Sequence, residues 1–236
     1  MAIAPSDHRS DGLAAIEIFR DLDRTGLASV IRRCQHRSFA AGQQIVGQAD
    51  ESREVYFILS GRVRVNVFSP DGRDVTFRDL GPGEMFGEIA AIDSGPRSAN
   101  CIALADSAVA SLGPAEFRQV LRDHPAVADA ILRRLARLVR ALSDRVYEFA
   151  TLAVRNRIHA ELLRLSRERM TGANRATLDP APTHAEIASR IATHREAVSR
   201  ELSELTRARL IAREGHALVV LDVDRLADLV ENPSDS

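Results

Sequence analysis

Between Arg37 and Leu112 short apolar segments of period two follow one another at intervals of roughly 8–12 residues. They are Gln44-Ile45-Val46, Glu54 to Leu59, Arg62 to Val67, Val75-Thr76-Phe77, Cys101-Ile102-Ala103 and Ser107 to Leu112. Gly42, Gly61, Pro70-Asp71-Gly72-Arg73, Gly81-Pro82-Gly83 and Gly95 separate them, and these are turn-forming residues. A chain punctuated in this way closes into a β-sandwich or jelly roll. On either side the period becomes helical. Ile16, Phe19, Leu22, Leu27, Val30 and Ile31 predict one or two short helices over Leu13–Cys34. Pro114 opens another helical region, and Pro125 suits the first turn of a longer helix. That long helix carries Ile131, Leu135, Leu138, Leu142, Phe149 and Leu152 in three/four steps, a heptad seam interrupted at Arg145 with Val146 alongside. The pattern fits a buried intramolecular helix and a two-chain coiled coil equally well.

Within the strand-rich region one stretch departs from alternation. Gly87-Glu88-Ile89-Ala90 is followed, after a short gap, by Pro96-Arg97-Ser98-Ala99. Gly87 lets backbone approach a ligand closely, and the Glu88 carboxylate can accept from sugar hydroxyls. Arg97 offers a charged fork and Ser98 a hydroxyl, the chemistry that grips a phosphate. Ile89 through Asp93 predicts a short helix with its amino end turned toward such an anion. The run GEIAAIDSGPRSA resembles the phosphate-binding cassette of cyclic-nucleotide-binding domains, as found in catabolite-activator-type bacterial regulators. The resemblance implies a cyclic-nucleotide site made by Gly87, Glu88, Ile89, Ala90, Arg97, Ser98 and Ala99. It also makes the long helix a parallel dimerisation helix. In cyclic-AMP-binding relatives a Thr and a Ser on that helix meet the adenine, the Ser reaching across from the second subunit. Those positions fall here on Leu142 and Ser143, and the hinge Asp of the family is Ala153. The implied ligand is cyclic AMP, with cyclic GMP or another cyclic nucleotide left open by the missing hydroxyl.

The C-terminal part opens with a helix from Asn156 to about Leu165, a loop at Met170–Asn174 and a Pro-containing linker, Leu178 to Pro182. Thr183 followed by Glu186 is a capping box. Ile187 and Ile191 mark one short helix, Ala192-Thr193-His194 a turn, and Val198, Leu202 and Leu205 a second helix. This is helix-turn-helix spacing, in which the second helix enters the major groove of DNA. The exposed face of that second helix holds Arg195, Glu196, Ser199 and Arg200. Arginine can donate bidentately to guanine, and glutamate can accept from cytosine N4. The Arg-Glu-x-x-x-Arg run resembles the recognition helix of the same family, which reads half-sites of the TGTGA type. By that resemblance Thr183 and His194 contact the DNA backbone. Arg207, Arg209 and Arg213 precede a turn at Glu214-Gly215-His216 and a returning strand, the wing, and are candidate phosphate ligands.

The expected architecture is α+β: an arm over 1–12, a jelly-roll ligand domain over 13–123, a central dimerisation helix and hinge over 124–156, a winged helix-turn-helix over 157–223 and a tail over 224–236. The expected partners are double-stranded DNA, a second copy of the chain and RNA polymerase. The formal net charge of −1 does not bear on DNA binding, because a local patch outweighs the sum. No enzyme is expected: the histidines avoid the strand region between Val55 and Leu112, which a metal-dependent cupin would need, and no triad, Walker or metal-ligand spacing occurs. The rival expectation is a regulator of the same fold that is ligand-independent or senses a different molecule or signal. The intact Gly87, Glu88, Arg97 and Ser98 set speaks against it. Cys34 and Cys101 stand alone and should pack as small apolar groups. The opening residues lack an apolar core of signal length and no later stretch has span length, which leads to the expectation of a cytoplasmic protein without membrane contact.

Overall fold

The computed structural model describes residues 12–69 and 74–231. The hairpin turn expected at 70–73, most of the expected arm and residues 232–236 lie outside the described residues. The chain divides into two compact units: one reaches Val139, apart from Ser69–Val75, and the other, which includes that segment, resumes at Arg140.

The first unit is the jelly roll. Its strands are β1 (Gln35–Phe39), β2 (Gln44–Val46), β3 (Val55–Ser60), β4 (Val63–Phe68), β5 (Asp74–Leu80), β6 (Met85–Phe86), β7 (Asn100–Ala103) and β8 (Ser107–Leu112). One sheet has the order β1-β8-β3-β6 and the other β2-β7-β4-β5. Alternation along β3 explains the packing. Tyr56 and Ile58 join Val46, Val63, Leu80, Phe86, Cys101 and Val109 between the two sheets. Val55 and Phe57 point the opposite way, into a cluster with Leu13, Ile16, Phe19, Val30, Phe117, Val127 and Ile131. The helices that cover this outer face are α1 (Arg24–Arg33), α3 (Pro114–Asp123) and the start of α4 (Pro125–Thr151), beside a 3₁₀ turn at Glu17–Phe19. Buried on both faces, β3 reads as a continuous apolar run. Between β6 and β7 the chain leaves the sheet to form α2 (Glu88–Asp93). Cys101 is buried and Cys34 partly so, and burial pushes both thiols up to about 12, so neither is a reactive thiolate.

Helix α4 corrects the seam read from the sequence. Ile131 is consumed by the jelly-roll core. The exposed apolar stripe is Leu132, Val139, Leu142, Val146 and Phe149, with Val139 62%, Leu142 46% and Val146 67% exposed. Together with half-buried Leu135 these positions make an unbroken heptad a/d series. Arg145 is therefore beside the seam and does not interrupt it. Its ion-pair partner is Glu161, 3.2 Å away.

The second unit contains α5 (Val154–Arg167), β9 (Ala176–Leu178), α6 (His184–Arg190), α7 (Arg195–Arg207), β10 (Ile211–Glu214), β11 (Ala217–Val220) and α8 (Val223–Glu231). Its core joins Ile158 and Leu162 of α5, Ile187 and Ile191, Val198 and Leu202 of α7, and Leu218 and Val220 of the sheet β10-β11-β9. Two expectations change here. Leu178, placed in a linker, is a buried residue of a third wing strand. The small helix expected over Asp224 to Val230, at the start of the stretch set apart as a tail, is α8, and its fully buried Leu226 makes it part of this core.

Candidate functional site

The cassette is built by backbone conformations that only certain residues allow. Gly87 has a φ of +84°, and a Cβ there would stand 2.6 Å from Nη1 of Arg97 and 2.7 Å from the Glu54 carbonyl oxygen. Any side chain at 87 would thus collide with the arginine. Arg97 itself is only 4% exposed. Its Nε donates to Ser52 Oγ at 3.1 Å, Nη1 to the Gly87 carbonyl at 3.0 Å and Nη2 to the Glu54 carbonyl at 2.9 Å. Its backbone is pinned as well: Arg97 N donates to the Asp50 carbonyl and Ala49 N to the Arg97 carbonyl. The guanidinium stands 5.8 Å from the Tyr56 ring centroid, and Glu54 Oε2 lies 3.5 Å from its Nη2. A fork fixed this way has more N–H groups than these bonds use, and the free capacity suits an anion. Ser98 is exposed next to it, while Ala90 and Ala99 are buried and Ile89 is at the surface.

Glu88 is 5% exposed at the start of α2. Arg134 of α4 lies 3.8 Å from its Oε1, too far for a hydrogen bond, so the carboxylate keeps lone pairs for another donor. Arg134 is anchored elsewhere, donating Nη2 to the Met85 carbonyl at 2.7 Å. Burial, then the nearby Arg134 charge, lowers the Arg78 guanidinium from its usual value, while Glu84 and Glu88 oppose the shift. Ser52, Glu54, Arg78 and Arg134 were not among the expected site residues. Only Arg134 left a trace in the sequence, as a charge three residues after Ile131 on the covered face of the helix. Leu142 and Ser143 are exposed on α4, in the second unit.

The two helices of the expected helix-turn-helix form as the spacing predicts. Thr183 Oγ1 accepts from Glu186 N at 3.1 Å, and Glu186 Oε2 accepts from Thr183 N at 2.8 Å, closing the capping box of α6. His194, Arg195, Glu196 and Arg200 are exposed at the start of α7, and Ser199 is half-exposed. Thr183, His184, Arg195 and Arg213 line one pocket on this unit. Arg207 is exposed and paired with Glu204 at 2.6 Å, and Arg209 is exposed in a left-handed conformation with φ 56°. Behind α7, Glu201 Oε1 meets His159 Nε2 at 2.7 Å and accepts from Arg155 Nε at 3.1 Å. Burial holds the His159 imidazole below its ordinary value against the pull of Glu201. This contact fixes the inner side of α7 to α5 and so helps turn the Arg195 face outward. Glu201 could have been noticed as a carboxylate beside the apolar positions Val198, Leu202 and Leu205.

Comparison with known proteins agrees with this geometry. Residues 36–124 match the cyclic nucleotide-binding domain family and residues 156–229 the Crp-like helix-turn-helix domain family. The "Cyclic AMP receptor protein" of Thermus thermophilus is 32% identical over 171 residues, covering 72% of this chain and 76% of that protein. The chain belongs to the catabolite-activator-type (CRP/FNR) family. The "CRP-like cAMP-activated global transcriptional regulator" of Mycobacterium tuberculosis is 29% identical over 218 residues, spanning 91% of this chain and 96% of its own. The crystal structure of the Thermus thermophilus catabolite activator protein superposes with a TM-score of 0.54 at 28% identity, covering 91% of this chain and 98% of the other. This family member is thus a transcription regulator of the cyclic-nucleotide-responsive type, with a helix-turn-helix domain for DNA. Relatives in Mycobacterium tuberculosis and Thermus thermophilus are named as transcriptional regulators. Among the described residues no helix is long and apolar enough to cross a membrane.

Proposed function

We propose that this regulator is activated by cyclic AMP and binds pseudopalindromic operators as a homodimer. The observation that carries the ligand assignment is Arg97, a buried guanidinium locked to Ser52, Gly87 and Glu54 with its fork only partly used. In this reading Arg97 and Ser98 hold the cyclic phosphate. Gly87, Ile89, Ala90 and Ala99 shape the backbone around it, and Glu88 accepts from the ribose hydroxyl. Ser143 offers a hydroxyl to the purine edge. Leu142 offers only packing, which costs about 0.5–1.5 kcal/mol of base discrimination relative to a hydroxyl and makes cyclic GMP the natural competitor.

The exposed heptad stripe on α4 supports the dimer, since Leu132, Val139, Leu142, Val146 and Phe149 would otherwise face water. A two-fold axis along α4 presents two copies of α7 to successive major grooves, about 34–36 Å apart. Arg195 and Arg200 then read G·C pairs, Glu196 a cytosine, and Ser199 packs at the groove edge. Thr183, His194, Arg207 and Arg209 contact phosphates and set the register without reading sequence. Such a regulator acts in the cytoplasm, where its DNA and RNA polymerase are.

A mobility shift on a TGTGA-type palindrome, with and without cyclic AMP, tests ligand and operator together. Retardation that appears only with the nucleotide supports the proposal. Titration calorimetry with cyclic AMP and cyclic GMP isolates the ligand half, and no heat with either nucleotide would count against it. Arg207→Ala should weaken binding evenly on all sequences and reduce the slope of log K against log salt by about one unit. An unchanged slope removes Arg207 from the phosphate contacts.

A further inference from the structure

The second unit holds an ionic cluster that neither ligand binding nor base reading uses. Glu161 of α5 has a side chain only 1% exposed, and arginines from three helices converge on it. Arg145 of α4 donates Nη1 to Glu161 Oε2 at 3.2 Å. Arg164 donates to the same oxygen, and Arg190 of α6 lies 3.6 Å from Oε1. Arg164 also reaches back to Glu148 of α4 at 3.0 Å. Arg145 makes one more bond: its Nη2 donates to the carbonyl of Arg190, the last residue of α6. Its guanidinium also lies 5.7 Å from the ring centroid of Phe149.

One side chain of the central helix thus binds both the buried carboxylate of the DNA-binding unit and the C-terminal end of the first helix of the helix-turn-helix. A helix end leaves its last carbonyls without intrahelical partners, so a donated guanidinium N–H is a favourable closure there. A buried carboxylate deprived of one of its cations becomes costly in turn. Arg145 and Glu148 belong to the part of α4 that lies in the second compact unit, which resumes at Arg140, before the end of α4 at Thr151. Arg145 and Glu148 thus pair with α5 across Ala153, the expected hinge position.

We infer that Arg145 is a positioning residue for operator binding: it sets the angle at which α6 and α7 leave the dimerisation helix, and so the separation of the two reading helices. The inference rests on the proposed dimeric operator reading. Arg145 reaches the carboxylate with Nη1 and the carbonyl with Nη2, two nitrogens held apart in one rigid plane, whereas a lysine keeps the charge on a single nitrogen and cannot span both places in the same geometry.

The test is binding of full-length wild type, Arg145→Met and Arg145→Lys, with cyclic AMP throughout. The probes are a TGTGA-type palindrome of native spacing, the same palindrome with two base pairs inserted between half-sites, and a duplex lacking the half-sites. Wild type should prefer native spacing strongly. Arg145→Met should lose at least tenfold on the native palindrome and discriminate spacing at least fivefold less, while its affinity for the duplex without half-sites stays within twofold. Arg145→Lys should behave likewise, and it carries the test if the methionine variant melts below the assay temperature. Undiminished spacing preference in the folded variant overturns the inference. So does an equal loss on all three probes, which marks a general folding role. Failure of wild type itself to prefer the palindrome sinks the operator reading instead.

Discussion

A glutamate in place of Val146 should convert the protein to a monomer at micromolar concentration and abolish retardation of a palindromic operator. Val146 is 67% exposed and sits within an unbroken a/d stripe that runs from Leu132 to Phe149. Burying a valine from each copy contributes about 1.5 kcal/mol or more per side chain. A glutamate there forfeits that and sets two carboxylates against each other across the two-fold axis, in a seam that excludes water. A loss of roughly 3 kcal/mol raises the dimer dissociation constant more than a hundredfold. The control is Tyr147→Glu. Tyr147 is equally exposed at 67% but is one step off the stripe, so its replacement should leave the dimer intact. Sedimentation equilibrium of both variants reads the difference. A dimeric Val146→Glu protein would show that the stripe is covered by something other than a second α4.

Much of this architecture can be read from the chain because local chemistry and global packing agree. Period-two segments became strands, the capping box at Thr183 and Glu186 became a helix start, and the Gly87 to Ala99 run formed the expected turn, helix and arginine. Where the sequence misled, one local pattern served two masters. In α4 the apolar residues Val127 and Ile131 face the jelly roll. Counting onward from Ile131 carries that buried face into the later turns, placing Arg145 in the seam and Val146 outside it. The two seams share Leu135, Leu142 and Phe149 and part by one residue at Ile131/Leu132, Leu138/Val139 and Arg145/Val146, and no periodicity separates them without knowing what the first turns cover. Strand β6 is two residues long, shorter than any alternation can reveal. Strand β9 is hidden by the prolines that follow it and is recognisable only because β11 pairs with it.

The site was legible in its types but not in its support. Glycine, glutamate, arginine and serine at fixed offsets suggest an anion-binding turn, but Ser52 and Glu54, which hold the arginine, lie 45 and 43 residues before it. Two of the three bonds that orient Arg97 go to backbone carbonyls, which any residue supplies and no motif records. The Glu161 cluster is similar: Arg145, Glu161, Arg164 and Arg190 look like solvated helix charges until α4, α5 and α6 are brought together.

Replacing Arg97 should weaken cyclic AMP at least tenfold, with the lysine variant falling between wild type and alanine. Arg97→Ala removes the buried positive charge and strips the Gly87 and Glu54 carbonyls of their donors. An anion entering the mutant site meets the Glu54 carboxylate, 3.5 Å from the former guanidinium, with no cation between them. Charge-assisted bonds to a phosphate are worth roughly 1.5–3 kcal/mol each, so a tenfold loss, about 1.4 kcal/mol, is the least that a direct contact allows. Arg97→Lys keeps a point charge but cannot hold Ser52, Gly87 and Glu54 while also facing a phosphate. Because Arg97 is buried, thermal melts of the ligand-free variants must accompany the titrations. The decisive quantity is affinity in protein that remains folded at the assay temperature. Ser98→Ala, at an exposed position, should leave the fold untouched and cost less than Arg97→Ala. Calorimetry showing wild-type affinity in folded Arg97→Ala would mean that this guanidinium serves only to tie the 49–54 loop to Gly87, and that the nucleotide is held elsewhere.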